Sequence, residues 1–338
     1  MKLKRRMLDA SPTPSVSPSV SPTPSVTPSS AAVGTVFDAV EVGNNQGGLP
    51  SGVIAAGDLF GKYAVGIGDI DNDGIPDIAM SAQLDDDGFT NAGSVYIVFM
   101  NSDRSAKGYQ KISATEGGAS LSLGTNGWFG TDPKRLDQPS GDDGHLPRLV
   151  VGEVLANAPS FDTGRIWVLR LNVTGKVLHT QAIADGVGGL PSGTLSSADY
   201  FGAALTTESG DVDGDGLNDV LVTATGDDKA SSNRGALYVL FMQADDTVRT
   251  FTRISQASGE GLDNSPLTHS FLGDGLAAIP PRSPGNPVDV AISTIVTPNA
   301  VVLFRLASNG TVIGIPEVIA DGREGVTSGS IPTNIRLG

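Results

Sequence analysis

A period of about 70 residues, four short apolar runs in each period, and 44 glycines without long helical patterning predict an all-β chain. The expected architecture is a β-propeller of four-stranded antiparallel blades. Five landmarks set the period: Phe60-Gly61, Phe129-Gly130, Phe201-Gly202, Leu272-Gly273 and Leu337-Gly338, at steps of 69, 72, 71 and 65 residues. Each of the first four is followed by a loop and a short apolar strand: DIAMSA (77–82), RLVVGE (148–153), DVLVTA (219–224) and DVAIST (289–294). A turn and a stronger run come next: SVYIVFM (94–100), RIWVLRL (165–171), ALYVLFM (236–242) and AVVLFRL (300–306). Their β-branched and aromatic residues favour strands. A looser strand closes each repeat: QKIS (110–113), TQAIAD (180–185), TRIS (252–255) and EVIAD (317–321).

The repeats therefore run over about 60–128, 129–200, 201–271 and 272–336. An extra strand is expected within 31–59, where VFDAVEV (36–42) matches the last strand of a repeat. Four complete repeats with spare pieces at both ends read as part of a larger ring, with a closed four-blade ring as the competing arrangement. A second period lies on the first. Repeats one and three share VFM or LFM and a terminal IS, and repeats two and four share LRL or FRL and IADG. GGLPSG recurs at 47–52 and 188–193, a step of 141 residues. A two-blade unit has been duplicated.

Composition bounds the function. Net charge is −15, and residues 1–9 contribute +3 (Lys2, Lys4, Arg5, Arg6, Asp9), so the remainder carries −18. Such a body argues against nucleic acid and anionic membrane as partners and suits cation binding. There are no cysteines, which excludes disulfides and thiolate metal sites. No apolar stretch reaches the ~20 residues of a membrane span. MKLKRRMLD has the basic start of an export signal, but no apolar segment follows it. Residues 10–30, ASPTPSVSPSVSPTPSVTPSS, have nothing to bury and read with the basic start as a disordered tether of the kind found on O-glycosylated, secreted proteins.

The chemistry concentrates in two loops, DIDNDGIPD (69–77) and DVDGDGLND (211–219), with aspartates at positions 1, 3, 5 and 9. Alternating acids place carboxylates on the inside of a tight loop, and Gly at position 6 lets the backbone turn. An all-oxygen, charge-rich set suits Ca²⁺, with Mg²⁺ second. The candidate ligands are Asp69, Asp71, Asp73, the Ile75 carbonyl and Asp77, and then Asp211, Asp213, Asp215, the Leu217 carbonyl and Asp219. An EF-hand is excluded, because Met80 and Val222 stand where its twelfth-position acid belongs. A solvated acidic turn is the plainer alternative, but two copies at one place in a repeat argue for a site. The even repeats lack it: Asp143 has no partner at the right spacing, Arg148 replaces the ninth-position acid, and PRSPGNPVD keeps only Asp289. Two metal ions are expected, not four.

Phe-Gly, then DxDxDGxxD, a strand, a small-residue turn and GSVYIVF resemble the FG-GAP repeat, the blade of the integrin α-subunit propeller and of many cell-surface proteins. The resemblance covers about residues 31–338 and is tighter in repeats one and three. It implies a propeller, commonly of seven blades, with structural Ca²⁺ in hairpin loops on one face and protein recognition on the other face or the rim. Other chemistry has little support. The three histidines, His145, His179 and His269, fit no hydrolase or metalloprotease motif. Trp128 and Trp167 are expected in the core. NVT (172–174) and NGT (309–311) are glycosylation sequons at turns. The sequence thus predicts an extracellular, non-catalytic, calcium-binding adhesion module with a protein or glycan ligand. An accessory propeller of an extracellular enzyme such as a hydrolase is the alternative.

Overall fold

The computed structural model describes residues 39–118, 121–137, 146–229, 234–262, 272–280, 283–294 and 300–320. The chain divides at residues 39–40 into two units, and all described strands lie in the second. The tether, His145, His269, Asp143 and the Leu337-Gly338 pair fall outside the described residues.

The predicted four-stranded repeats are present. Blade 1 comprises β1 (Phe60–Gly68), β2 (Asp77–Ala82), β3 (Ser94–Met100) and β4 (Ala106–Ile112). Blade 2 comprises β5 (Phe129–Leu136), β6 (Arg148–Glu153), β7 (Arg165–Leu171) and β8 (Val177–Ile183). Blade 3 comprises β9 (Phe201–Thr206), β10 (Val220–Ala224), β11 (Ala236–Met242) and β12 (Val248–Ile254), and blade 4 comprises β13 (Leu272–Ile279), β14 (Val288–Thr294), β15 (Ala300–Leu306) and β16 (Val312–Ala320). Each blade is an antiparallel meander in chain order. The molecule is an all-β array of propeller-like blades.

Packing explains the apolar runs. The third strands of blades 1 and 3 are sandwiched between layers, so both faces are apolar: Tyr96, Ile97, Tyr238 and Val239 are all fully buried. The fourth strands mark the rim, and their middle residues face water, as in VRTFTRI of β12. Successive first strands lie side by side, β1 by β5, β5 by β9 and β9 by β13. With β14 and β15 they line a cavity of about 480 Å³ of mixed character, in which Lys62, Tyr63, Asp132, Lys134 and Asp274 stand beside Leu276 and Val301. Burial and the nearby Asp132 and Asp274 push the Tyr63 hydroxyl up to about 12.

The Phe-Gly pairs are seams. Gly93 bridges to Phe129 of the next blade, and Gly164 to Phe201, in parallel orientation. A Cβ on Gly164 would sit 2.2 Å from the Phe201 carbonyl oxygen, and one on Gly93 2.0 Å from that of Phe129. Only glycine allows one blade's backbone to reach the next so closely.

Residues 31–38 of the expected extra strand, with the start of VFDAVEV, lie outside the described residues; the described 39–59 contain turns and an isolated Gly43–Gln46 bridge, and Leu49 packs on the blade 1 core. Proline and paired glycines in this segment (GNNQGGLPSG) oppose an extended ladder strand. On blade 4, Ile279 and Ile315 are 67% and 81% exposed, so nothing described covers them.

Candidate metal centre

Both acidic loops join the first and second strands of their blades, 69–76 between β1 and β2, and the second copy between β9 and β10. Their first aspartates organise the turn. Asp69 accepts from the Asp73 and Gly74 N–H groups at 3.0 and 2.8 Å. Asp211 accepts from Gly214, Asp215 and Gly216 at 2.7, 3.1 and 2.9 Å. The fifth-position acids bond two residues on: Ile75 N–H donates to Asp73 and Leu217 N–H to Asp215, at 2.8 and 2.9 Å. Gly74 and Gly216 both take positive φ, at 89° and 93°, as the sixth position requires.

The ninth-position acids anchor the loops. Asp77 accepts from the Ile70 N–H at 2.9 Å and from the Met100 N–H at 3.0 Å. Asp219 repeats this with Val212 and Met242 at the same two distances. Both carboxylates are fully buried. Desolvation first, with the like charges of Asp213 and Asp215 adding to it, pushes the Asp219 carboxyl up to about 7.

Three carboxylates converge in each loop. Asp69, Asp71 and Asp77 bring one oxygen each to within 4.8 Å of one another, and so do Asp211, Asp213 and Asp215. The expected ligands thus divide. Asp73 lies outside the first trio and Asp219 outside the second. Ile75 and Leu217 are half-buried, and their N–H groups serve the loops as described. Asp71 Oδ1 is buried without a hydrogen-bond partner. A carboxylate oxygen withdrawn from water is costly unless something positive meets it. The residues present therefore fit a divalent cation with oxygen ligands.

Two residues escaped sequence reasoning. Lys107 on β4 pairs with Asp71 at 2.6 Å and with Asp73. Arg249 on β12 pairs with Asp213, and with Asp215 at 3.3 Å. Hydrogen bonds to Asp71 and Asp73 raise the Lys107 pKa, and the bond from Lys107 lowers that of Asp73. The two cations stand 142 residues apart, at the same step as the loops, and that shared step was the available signal.

The odd blades also share a second buried acid. Asp85 accepts from the Tyr96 hydroxyl at 3.2 Å and pairs with Lys111 at 2.9 Å. Asp227 accepts from Tyr238 at 2.7 Å and pairs with Arg253 at 2.5 Å. These networks tie the second strand's exit turn to the rim strand. They resemble a structural brace rather than a site, since their carboxylates are satisfied within the blade.

In the even blades the ninth-position residues do other work. Arg148 is buried and pairs with Asp246 of blade 3 at 3.0 Å. Asp289 pairs with Arg305 on the neighbouring strand at 2.7 Å. No acidic trio is found in either among the described residues. Trp167 is buried, with its ring N–H donating to Glu153 at 2.7 Å, and Trp128 is half-buried. His179 is exposed on β8.

Comparison with known proteins agrees with this geometry. The model of the FG-GAP repeat matches residues 63–98 and 203–240, which hold the two acidic loops and the strands on either side. The chain carries FG-GAP repeats at these two positions, consistent with the integrin α-like propeller family. No curated protein matches the chain. No helix among the described residues is long and apolar enough to cross a membrane.

Proposed function

We propose that this chain is an extracellular, calcium-stapled propeller that recognises a protein or glycan and carries out no catalysis. The observation that carries the reading is the duplicated carboxylate trio, at one place in the repeat, with a buried, partnerless oxygen on Asp71. Bound Ca²⁺ would neutralise the converging carboxylates. Asp69, Asp71 and Asp77 would hold one ion, with Asp73 and the Ile75 carbonyl as further oxygens. Asp211, Asp213 and Asp215 would hold the other, with the Leu217 carbonyl and Asp219.

Magnitude supports a staple outside the cell. Extracellular modules bind Ca²⁺ with Kd of about 10⁻⁴–10⁻³ M. At millimolar Ca²⁺, the tight end of that range contributes about 1.4–1.8 kcal/mol per site. Two independent sites add about 3 kcal/mol, a large share of a stability near 5–15 kcal/mol. Cytosolic Ca²⁺ would leave such sites unfilled. The Pro/Ser/Thr tether and the turn sequons Asn172 and Asn309 suit the same location.

Isothermal titration calorimetry tests the reading. Two Ca²⁺ per chain are expected, one in either Asp71→Ala or Asp213→Ala, and none in the double variant. These third-position acids make no backbone bond that folds the loop in blade 1, so Asp71→Ala spares the turn. Heat of binding that survives in the double variant would remove both sites from consideration. Turnover in a hydrolase screen would overturn the non-catalytic part.

A further inference from the structure

The two Asn-x-Thr triplets of the sequence, Asn172-Val173-Thr174 and Asn309-Gly310-Thr311, sit in the turns that join the third and fourth strands of blades 2 and 4. In each, the asparagine's side-chain oxygen holds the turn together. Asn172 Oδ1 accepts from the Thr174 N–H and hydroxyl, both at 2.9 Å, and from the Lys176 N–H at 3.0 Å. Asn309 Oδ1 accepts from the Thr311 N–H at 3.1 Å and from its hydroxyl at 2.6 Å. Backbone N–H groups can only donate, so they fix which amide atom is the oxygen. Each Nδ2 therefore faces away from its turn, and neither makes a hydrogen bond among the described residues. Asn309 is exposed and Asn172 half-buried, with Val173 beside it 52% exposed.

The odd blades show that such a turn needs the oxygen and not the nitrogen. Met242 pairs with Val248 and Leu306 with Val312, which places Asp245 of blade 3 where blade 4 has Asn309. Asp245 accepts from the Thr247 N–H at 3.1 Å and hydroxyl at 2.6 Å, as Asn309 does from Thr311. Asp103 of blade 1 does the same with Ser105, at 3.0 and 2.6 Å. A carboxylate builds this turn as well as an amide does, so the amide nitrogen of the even blades is surplus to folding. Other asparagines spend theirs: Asn91 Nδ2 donates to Asn126 at 2.8 Å and Asn101 Nδ2 to Ser105 at 3.0 Å. The sequon turns are also firmly seated. The Asn309 carbonyl accepts from the Thr252 hydroxyl of blade 3 at 2.7 Å, and a Cβ on Gly175 would stand 3.1 Å from Phe99 of blade 1.

We propose that Asn172 and Asn309 are acceptors of N-linked glycans. The donor is an oligosaccharide carried on a lipid diphosphate. A bond forms between Nδ2 and the anomeric carbon of the first sugar, and the bond from that carbon to the diphosphate oxygen breaks. The lipid diphosphate leaves with the electron pair, and Nδ2 gives up one proton. No hydrogen bond of either turn is lost, because Oδ1 keeps all of them. The third-to-fourth connection shares an end of the antiparallel meander with the first-to-second connection, which in blades 1 and 3 is the acidic loop. Sugars and metal loops would thus alternate from blade to blade at that end, and no sequon lies in a second-to-third connection. The proposal rests on the extracellular reading, since the donor and its transferase act on exported chains.

Peptide mapping of the full chain, secreted by insect cells behind an added export signal, tests it. Peptide N-glycosidase in heavy-oxygen water converts each modified asparagine to a labelled aspartate. Label is expected at Asn172 and Asn309 and at no other asparagine. Asn172→Asp and Asn309→Asp should each remove one glycan from the intact mass. The double variant and the enzyme-treated chain have the same sequence and should melt together, which separates loss of sugar from loss of the fold. A secreted chain with either asparagine bare overturns the proposal for that residue. So does a glycan that survives the substitution. Calcium titration of the same material reads the staple independently. A sugar-free chain that binds two Ca²⁺ sinks only the glycan proposal, and a glycosylated chain that binds none sinks only the calcium reading.

Discussion

Asp219 and Arg148 stand at the same place in neighbouring blades and solve different problems. Asp219 turns inward along its own blade, accepting the Val212 and Met242 N–H groups and fixing the acidic loop to the central hairpin. Arg148 reaches out of its blade and meets Asp246 across the seam. One position therefore serves as a loop anchor in the odd blades and as an inter-blade clamp in an even one. The difference shows how a duplicated two-blade unit divides its labour. Charge that concentrates in the odd loops suits a cation, while at the same place Arg148 of blade 2 pairs across to the next sheet and Asp289 of blade 4 pairs within its own.

Substitutions at these two places should separate the roles. The largest effect is expected for Asp219→Ala, which strands two buried N–H groups. A loss of about 3 kcal/mol in urea unfolding is expected in EDTA, and a larger one in calcium, where a ligand of the second ion is also removed. If the loss vanishes in EDTA, the carboxylate acts through the metal and not as an anchor. Arg148→Ala should cost about 2–3 kcal/mol, since Asp246 stays buried with Arg170 alone beside it. Its calcium titration should be unchanged, and a changed stoichiometry would dissolve the division between blades.

Removing calcium is expected to have an effect of similar size in free energy. Two sites worth about 3 kcal/mol in a chain of this length correspond to a fall of about 4 °C in Tm on adding EDTA, read by differential scanning calorimetry. A Tm indifferent to EDTA would count against the staple. The smallest expected change is at Lys107 and Arg249. Each cation competes for the carboxylates that would hold the ion, so Lys107→Met should tighten calcium binding in blade 1 by about threefold to tenfold. Weaker binding would show instead that the lysine helps to shape the site.

Much of the fold was legible because its determinants are local and repeated. The Phe-Gly landmarks, the β-branched runs and the acidic loops recur at one spacing, and each names a strand, a seam or a turn by its own chemistry. The segment 39–59 was less legible for the converse reason: its turns and its Gly43–Gln46 bridge have no counterpart at a fixed place in every repeat, and no sequence pattern reports which neighbour a segment will pair with. The candidate ligands were also legible, but their division was not. Asp77 joins its trio while Asp219 does not, and Lys107 and Arg249 arrive from strands about 30 residues further along the chain.

By itself, the sequence determined the period, the four-stranded unit, the acid-rich turns and their absence from alternate repeats. Each follows from residue types at short spacing, where backbone conformation and side-chain alternation are set by neighbours in the chain. Only the tertiary structure decided which carboxylates converge, which cations meet them, and which blades are clamped to each other by Arg148 and Asp246. Those outcomes depend on distances between residues far apart in sequence, and such distances exist only once the sheets have packed.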